Sequence, residues 1–347
     1  MQIVTRNIYQ YQPLWDKWQV DELIGQGVFG KVYRISYQEY GHTYISAVKM
    51  ISIPGGDQYQ ADESLIGSDK GTIKNYYQEM IQSLVNEANI LYSLSGNSNI
   101  LGYHDHKIVK NKETSGWDIL IRMEYAKSLK KYLSEKTMTT EEVISLGIDL
   151  CTALAICAQH GILHRDIKCE NIFISEDGIF KLGDFGIAMN LLKSNRTANM
   201  QGTPHYMAPE VYHGDQYDGA ADIYSLGIVM YRLVNHRRLP GMPPYPEEVY
   251  PQDSKAAFEK RMNGEPFPGP DQAGAALSKV IMKACAYQAS DRYKTPQKMK
   301  RDLEKVLFSM PVAAKKETVT TIEINSSEPR AGIRNNPDLN LTQSFNF

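Results

Sequence analysis

Cysteine is sparse in this chain of 347 residues: only Cys151, Cys157, Cys169 and Cys285 occur. No two of them form a C-x-x-C pair or another zinc-like spacing, so nothing points to a metal knuckle or a disulfide scaffold. Scattered thiols of this kind fit a reducing compartment, and the chain is expected in the cytoplasm. An excess of one charge is also missing. Lys and Arg number 38 against 40 Asp and Glu, for a net charge of −2. That balance leaves no electrostatic footprint for nucleic acid or a membrane surface. Long apolar runs are absent too. The most apolar stretch, Ile223 to Val234, is too short to span a bilayer and contains Arg232. The first residues lack the apolar core of a signal peptide, and no internal repeat occurs.

What is present reads as an ordinary globular protein, with 42% hydrophobic and 22% charged residues. The length allows about two domains. Alternating residues from Val20 to Tyr33, broken by Gly25, Gly27 and Gly30, predict a hairpin with a glycine-rich turn. Ile45 to Ile51 and Ile119 to Tyr125 predict further strands, and Tyr76 to Leu94 a helix. Pro54 to Gly71 is polar and glycine-rich, which predicts a flexible loop. Beyond that the period changes. Thr139 and Glu142 form a capping box ahead of an apolar stripe through Val143, Leu146, Leu150, Leu154 and Cys157. Ala220 to Val234 predicts a buried helix; Leu277 to Cys285 and Pro296 to Phe308 predict two more. The expected fold class is α+β: a strand-rich lobe over residues 1–125, a helical lobe over 126–310, and a polar tail over 311–347.

Five strings carry chemistry. In Gly25-Gln26-Gly27-Val28-Phe29-Gly30-Lys31-Val32, three glycines let backbone approach phosphate oxygens without Cβ interference. The string runs from strand to strand, which argues against a dinucleotide fold, where the last glycine opens a helix. Lys49 follows Ala47 and Val48 in an apolar strand, so its ammonium needs an anionic partner. Glu87 is the best carboxylate for it and Glu79 the alternative; ATP phosphates would also serve. His164-Arg165-Asp166-Ile167-Lys168-Cys169-Glu170-Asn171 offers a carboxylate for an attacking hydroxyl and oxygen ligands for a hard cation. Lys181-Leu182-Gly183-Asp184-Phe185-Gly186 brings a second carboxylate to the end of a strand, and Gly202 to Glu210 completes the series.

These strings, in this order from about Val20 to Phe308, resemble the protein-kinase family. The resemblance implies a bilobal fold with ATP and Mg²⁺ between the lobes. Ile24, Gly25, Gly27, Gly30, Val32 and Ala47 would surround the nucleotide. Lys49 would hold its phosphates and pair with Glu87. Met123 falls at the gatekeeper position, and the Glu124 to Ala126 backbone would bond adenine. Asp166 would orient the hydroxyl, Lys168 would steady the γ-phosphate, and Asn171 and Asp184 would hold the metal. Lys168 after Asp166, with Thr203 before Pro204, is the Ser/Thr pattern. Arg165 implies control by a phosphate on the segment from Asp184 to Glu210, with Thr197 as the regulatory hydroxyl and Thr203 as a contact to Asp166 and Lys168. The alternative is that Arg165 only packs the loop. Glu210 would pair with Arg292, and Asp222 would brace the catalytic loop.

The resemblance further implies protein substrates and a homodimer for autophosphorylation in trans. Cys169 stands where the family often has proline, and a redox role for it is one reading. The rival functions are a catalytically weak scaffold on the same fold and a small-molecule phosphotransferase. The second lacks an equivalent of Gly202 to Glu210.

Overall fold

The computed structural model describes residues 7–27, 30–53, 81–82, 85, 88–110, 116–185 and 204–310. The chain divides into a compact unit Met1–Ser309 and a second unit Met310–Phe347. The expected loop at 54–71 and tail at 311–347 fall outside the described residues.

The amino-terminal lobe is one antiparallel sheet. Its strands are β1 (Gln19–Gly27), β2 (Gly30–Glu39), β3 (His42–Ile53), β4 (Tyr103–Lys110) and β5 (Trp117–Met123), in the order β1-β2-β3-β5-β4. The glycine-rich hairpin forms as expected, with Gly27 opposite Gly30. Gly30 has a φ of +138°, and a Cβ there would fall 2.2 Å from the Met50 carbonyl oxygen, so only glycine fits. β5 ends at Met123, two residues before the expected Tyr125, because the Glu124 N–H turns aside to the Gly102 carbonyl at 2.7 Å. The sequence reading had no counterpart for β4, whose exposed polar residues give little alternation.

Alternation in β3 divides its side chains between two faces. Val48 and Met50 enter a core with Val20, Tyr33, Ile35 and Leu120. The same core takes Ile8, Leu14 and Trp18 from the residues ahead of β1, so this leading segment covers the sheet. Polar bonds fix the cover: Tyr11 Oη donates to the buried carboxylate of Asp118 at 2.5 Å, and Gln12 Oε1 accepts from Val20 N at 2.7 Å. Arg122 stands over both Trp15 and Trp18 and makes two bonds to Asp105. Ala47 and Lys49 face the opposite side.

The second lobe is helical. Its main elements are α1 (Leu129–Glu135), α2 (Thr140–Gln159), α3 (Pro209–His213), α4 (Gly219–Leu233), α5 (Pro251–Met262), α6 (Gly274–Ala284) and α7 (Pro296–Ser309). The Thr139–Glu142 capping box opens α2, with both reciprocal bonds present. A small sheet of β6 (Lys127–Ser128), β7 (Ile172–Ile174) and β8 (Phe180–Leu182) presents the functional loops. The described part of the expected helix at 76–94 is helical at 81–82, 85 and 88–94.

Two buried arginines of this lobe contrast. Arg292 makes a two-bond pair with Glu210 at 2.7 and 2.8 Å and donates also to the carbonyls of Ala286, Ala220 and Tyr287. Its guanidinium lies over the Tyr224 ring. Arg261 is equally buried, yet only its Nη2 finds an acceptor, the His205 carbonyl; Nε and Nη1 have none among the described residues. Removing one member of a satisfied buried pair strands the other, at a cost of about 3–5 kcal/mol. Replacing a poorly satisfied buried cation with an apolar group costs little or stabilises. Chemical denaturation should therefore show a large loss for Arg292→Met and little loss, or a gain, for Arg261→Met. Equal losses would contradict this account.

Candidate active site

The loop from His164 to Asn171 leaves α2 and is held by α4. Asp222, in the first turn of α4, accepts from the backbone N–H of His164 and of Arg165, each at 2.8 Å. Arg165 has a φ of +67°, a left-handed conformation that a non-glycine residue holds only when neighbouring contacts fix it. The two bonds to Asp222 supply that restraint. Burial pushes the Asp222 carboxyl above its usual range, against the opposing pull of His164 and the two N–H donors. His164 is buried as well. Its Nδ1 accepts from Asp166 N at 3.3 Å, which leaves Nε2 to donate to the Gly183 carbonyl at 3.0 Å. The His164 ring also packs on Phe185, with centroids 4.8 Å apart. One imidazole thus joins the loop of Asp166 to the loop of Asp184.

Within the loop, Lys168 Nζ lies 2.8 Å from Asp166 Oδ2. Asn171 Nδ2 donates to both the backbone oxygen and Oδ2 of Asp166, each at 2.8 Å. With its amino group so used, Asn171 Oδ1 remains as the acceptor, which suits a hard cation. Gly183 N donates to the Asn171 carbonyl at 2.9 Å, so the Asp184 loop and the Asn171 turn are in register. Asp184 itself has a φ of +50°.

Lys49 reaches Asp184 across the sheet face, Nζ to Oδ1. This ion pair meets the need of a buried ammonium for an anion. Burial tends to raise the Asp184 carboxyl, but the Lys49 ammonium overrides it and holds the group below its usual range. The expected partner Glu87 and the alternative Glu79 lie outside the described residues. So do Thr197 and Thr203. Arg165 is exposed and stands over the Tyr217 ring, 5.6 Å from its centroid.

The nucleotide-side residues gather around β3. Val32 is opposite Lys49, and Ala47 is opposite Met123. Gly25 pairs with Val32 across the hairpin, and a Cβ built on it would lie 3.7 Å from the Val32 side chain, an ordinary contact. Ile24 is exposed on β1. After Met123 the chain leaves β5. Among the described residues, neither the Glu124 carbonyl nor the Ala126 N–H is taken by another backbone group.

Sequence reasoning missed two contacts here. Lys181 Nζ lies 2.8 Å from Glu124 Oε1, and Glu124 Oε2 accepts from Gly102 N, so a side-chain bridge links the 124–126 turn to β8. Lys181, three residues ahead of Asp184, was the available signal. The second contact explains Cys169. Its thiol is buried, 3.7 Å from Tyr206 Oη and 4.0 Å from Arg232 Nη1, which itself donates to Tyr206 Oη at 2.8 Å. The side chain fills a joint between the catalytic loop, the 204–206 turn and α4.

A strand lobe and a helical lobe meeting at Lys49, Asp166, Asn171 and Asp184 define the class expected from the five strings. The chain belongs to the protein kinase family: the protein kinase domain model matches residues 18–303. It is similar to a probable serine/threonine-protein kinase of Clostridium perfringens, 30% identical over 321 residues, covering 91% of this chain and 41% of that protein. It is also similar to the serine/threonine-protein kinase PknB of Mycobacterium tuberculosis, 35% identical over 190 residues, covering 53% of this chain and 29% of that protein. A mitogen-activated protein kinase kinase kinase of Cytospora mali is 31% identical over 274 residues, 77% of this chain and 13% of that protein. The chain therefore spans less than half the length of these relatives. No described helix is long and apolar enough to cross a membrane.

Burial disfavours the reactive thiolate. It pushes Cys157 and Cys285 up to about 12 and raises Cys151 and Cys169 as well. An alkylating reagent at about pH 8 should leave all four thiols of the native chain unlabelled and label all four in denaturant, read by intact mass. Rapid native labelling of Cys169 would revive a redox role for it.

Proposed function

We propose that this chain is a protein serine/threonine kinase that transfers the γ-phosphate of ATP to hydroxyl groups of protein substrates. The observation that carries this reading is the Lys168–Asp166–Asn171 cluster, held in register with Asp184 and Lys49 by His164 and Asp222. The names of its relatives support the same class.

The donor set fits Mg²⁺. Asp184 offers carboxylate oxygens and Asn171 an amide oxygen, the ligands a hard cation takes. When bound, the ion would neutralise charge on the phosphates of ATP. The Asp166 carboxylate would accept or orient the substrate hydroxyl, its direction fixed by the bonds of Oδ2 to Lys168 and Asn171. Lys168, beside that carboxylate, would steady the transferred group as negative charge shifts toward the leaving oxygen. Lys49 would exchange its contact with Asp184 for nucleotide phosphates, so the ammonium stays paired in both states. Glycines 25, 27 and 30 would admit the phosphates beneath the hairpin, and the Glu124 carbonyl with the Ala126 N–H would take adenine. Arg165 would leave Tyr217 for a phosphate on the activation segment, Thr197 being the proposed site.

Transfer by the family route relies on positioning and charge stabilisation, and a general base or orienting carboxylate contributes roughly 10²–10⁴ in rate. Asp166→Asn should therefore lower incorporation of labelled γ-phosphate by about 100-fold or more while nucleotide binding persists. Near-normal turnover in the purified variant would sink the assignment. Loss of nucleotide binding would point instead to a collapsed loop.

A further inference from the structure

Strand β1 falls out of step with β2 along its length. Val20 is opposite Ile35 but Glu22 is opposite Arg34, and Leu23 is opposite Tyr33 but Gly25 is opposite Val32. Each slip leaves one extra residue on β1, Asp21 in the first and Ile24 in the second. Such bulges turn a side chain away from strict alternation, and they gather next to active sites. Ile24 is one of the residues that the family resemblance places around the nucleotide. The bulge at Asp21 lies just ahead of it on the same strand.

Asp21 is held from two sides. Its Oδ1 accepts from Ser36 Oγ at 2.8 Å, and its Oδ2 lies 3.0 Å from Arg34 Nη1. The Arg34 and Asp21 side chains are 28% and 23% exposed, against 50% and 47% for the Lys17–Glu39 pair of the same lobe, so solvent screens the first pair less. Tyr33 and Ile35 enter the core under the leading segment. Alternation therefore puts Arg34 and Ser36 on the other face of the sheet, the face of Ala47. Arg34 is opposite Ala47, and Ala47 is opposite Met123. From that row the Arg34 guanidinium stands over the ring of Tyr125, 5.8 Å from its centroid. Tyr125 separates Glu124 from Ala126, whose backbone groups are proposed above to take adenine. A planar guanidinium can bond a carboxylate with its edge and lie on a ring with its face. One side chain thus joins β1, beside Ile24, to the 124–126 turn.

We propose that Arg34 is a positioning residue for the nucleotide: it latches the bulged strand β1 to the 124–126 turn and so sets how fast nucleotide leaves. The proposal rests on the protein-kinase reading and deepens it. β1 cannot move away from the turn without breaking either the Asp21–Arg34 pair or the Arg34–Tyr125 contact. A partly exposed pair adds little to folding stability. Its effect is therefore expected in nucleotide release and affinity, with the melting temperature of the empty protein nearly unmoved.

The test measures release of a fluorescent ADP from the full chain by stopped flow. Arg34→Met keeps the apolar stem and removes the fork. It should speed ADP release by about threefold to fivefold, the worth of one partly shielded cation–ring contact. KM for ATP should rise in step, with a smaller fall in kcat. Tyr125→Leu should act like Arg34→Met, and Tyr125→Phe, which keeps the ring, should behave as wild type. The double variant with Arg34→Met and Tyr125→Leu should release ADP no faster than Arg34→Met alone, because both changes break one contact. Lys17→Ala is the control. It removes the exposed pair with Glu39 and the cation–ring contact with Tyr37, and it should release ADP at the wild-type rate. Unchanged release in Arg34→Met, additive effects in the double variant, or equal acceleration by Lys17→Ala overturns the latch. A wild type that binds neither ADP nor ATP overturns the kinase reading and the latch together. A wild type that binds both yet transfers no phosphate overturns that reading alone, and the release rates still decide for or against the latch.

Discussion

The carboxylate of Asp222 is the contact on which the rest of the site depends. It is buried in α4, the central helix of the second lobe, and accepts from two consecutive N–H groups of the catalytic loop. A buried carboxylate without donors would be costly, and two N–H groups without acceptors would be costly too. Each need meets the other. The bonds hold Arg165 in its left-handed conformation and so fix the direction in which Asp166 leaves the loop. His164 carries the same restraint onward to Gly183 and Phe185. The carboxylate that faces the hydroxyl and the carboxylate that faces the metal are thereby positioned by one helix.

Around this frame the cations fall into distinct physical situations. Arg292 is buried with an acceptor for each guanidinium nitrogen, and serves structure. Among the described residues Lys49 is buried against one carboxylate, an arrangement that nucleotide phosphates can replace. Arg232 is tied to neutral oxygens and sulfur at the edge of the site, where it joins α4 to the catalytic loop. The same charge on three side chains thus serves three ends, according to what already satisfies it.

Much of the fold was legible because hydrophobic period and turn chemistry are local signals. The glycine hairpin, the capping box of α2 and the buried α4 all stand where the pattern put them. The short strands β6 to β8 carry two or three residues each, too few for a period to show. The helix α5 was missed as well, because its mean character is polar and its apolar contacts are few. The leading segment hid its role for another reason. Ile8, Leu14 and Trp18 have no regular spacing, and only the sheet they cover makes them a set.

By itself the sequence determined the family and the residue types at the site, because phosphoryl transfer demands particular donors at short spacings within Gly25–Val32, His164–Asn171 and Lys181–Phe185. Beyond the Glu210–Arg292 pair and the Asp222 brace that the resemblance implied, tertiary structure alone decided the long-range partnerships. Lys49 meets Asp184 across 135 positions, and Cys169 meets Tyr206 and Arg232 across 37 and 63. No local rule encodes such pairs. They arise when a sheet, a loop and a central helix pack together, and each buried polar group takes the partner that packing brings within reach.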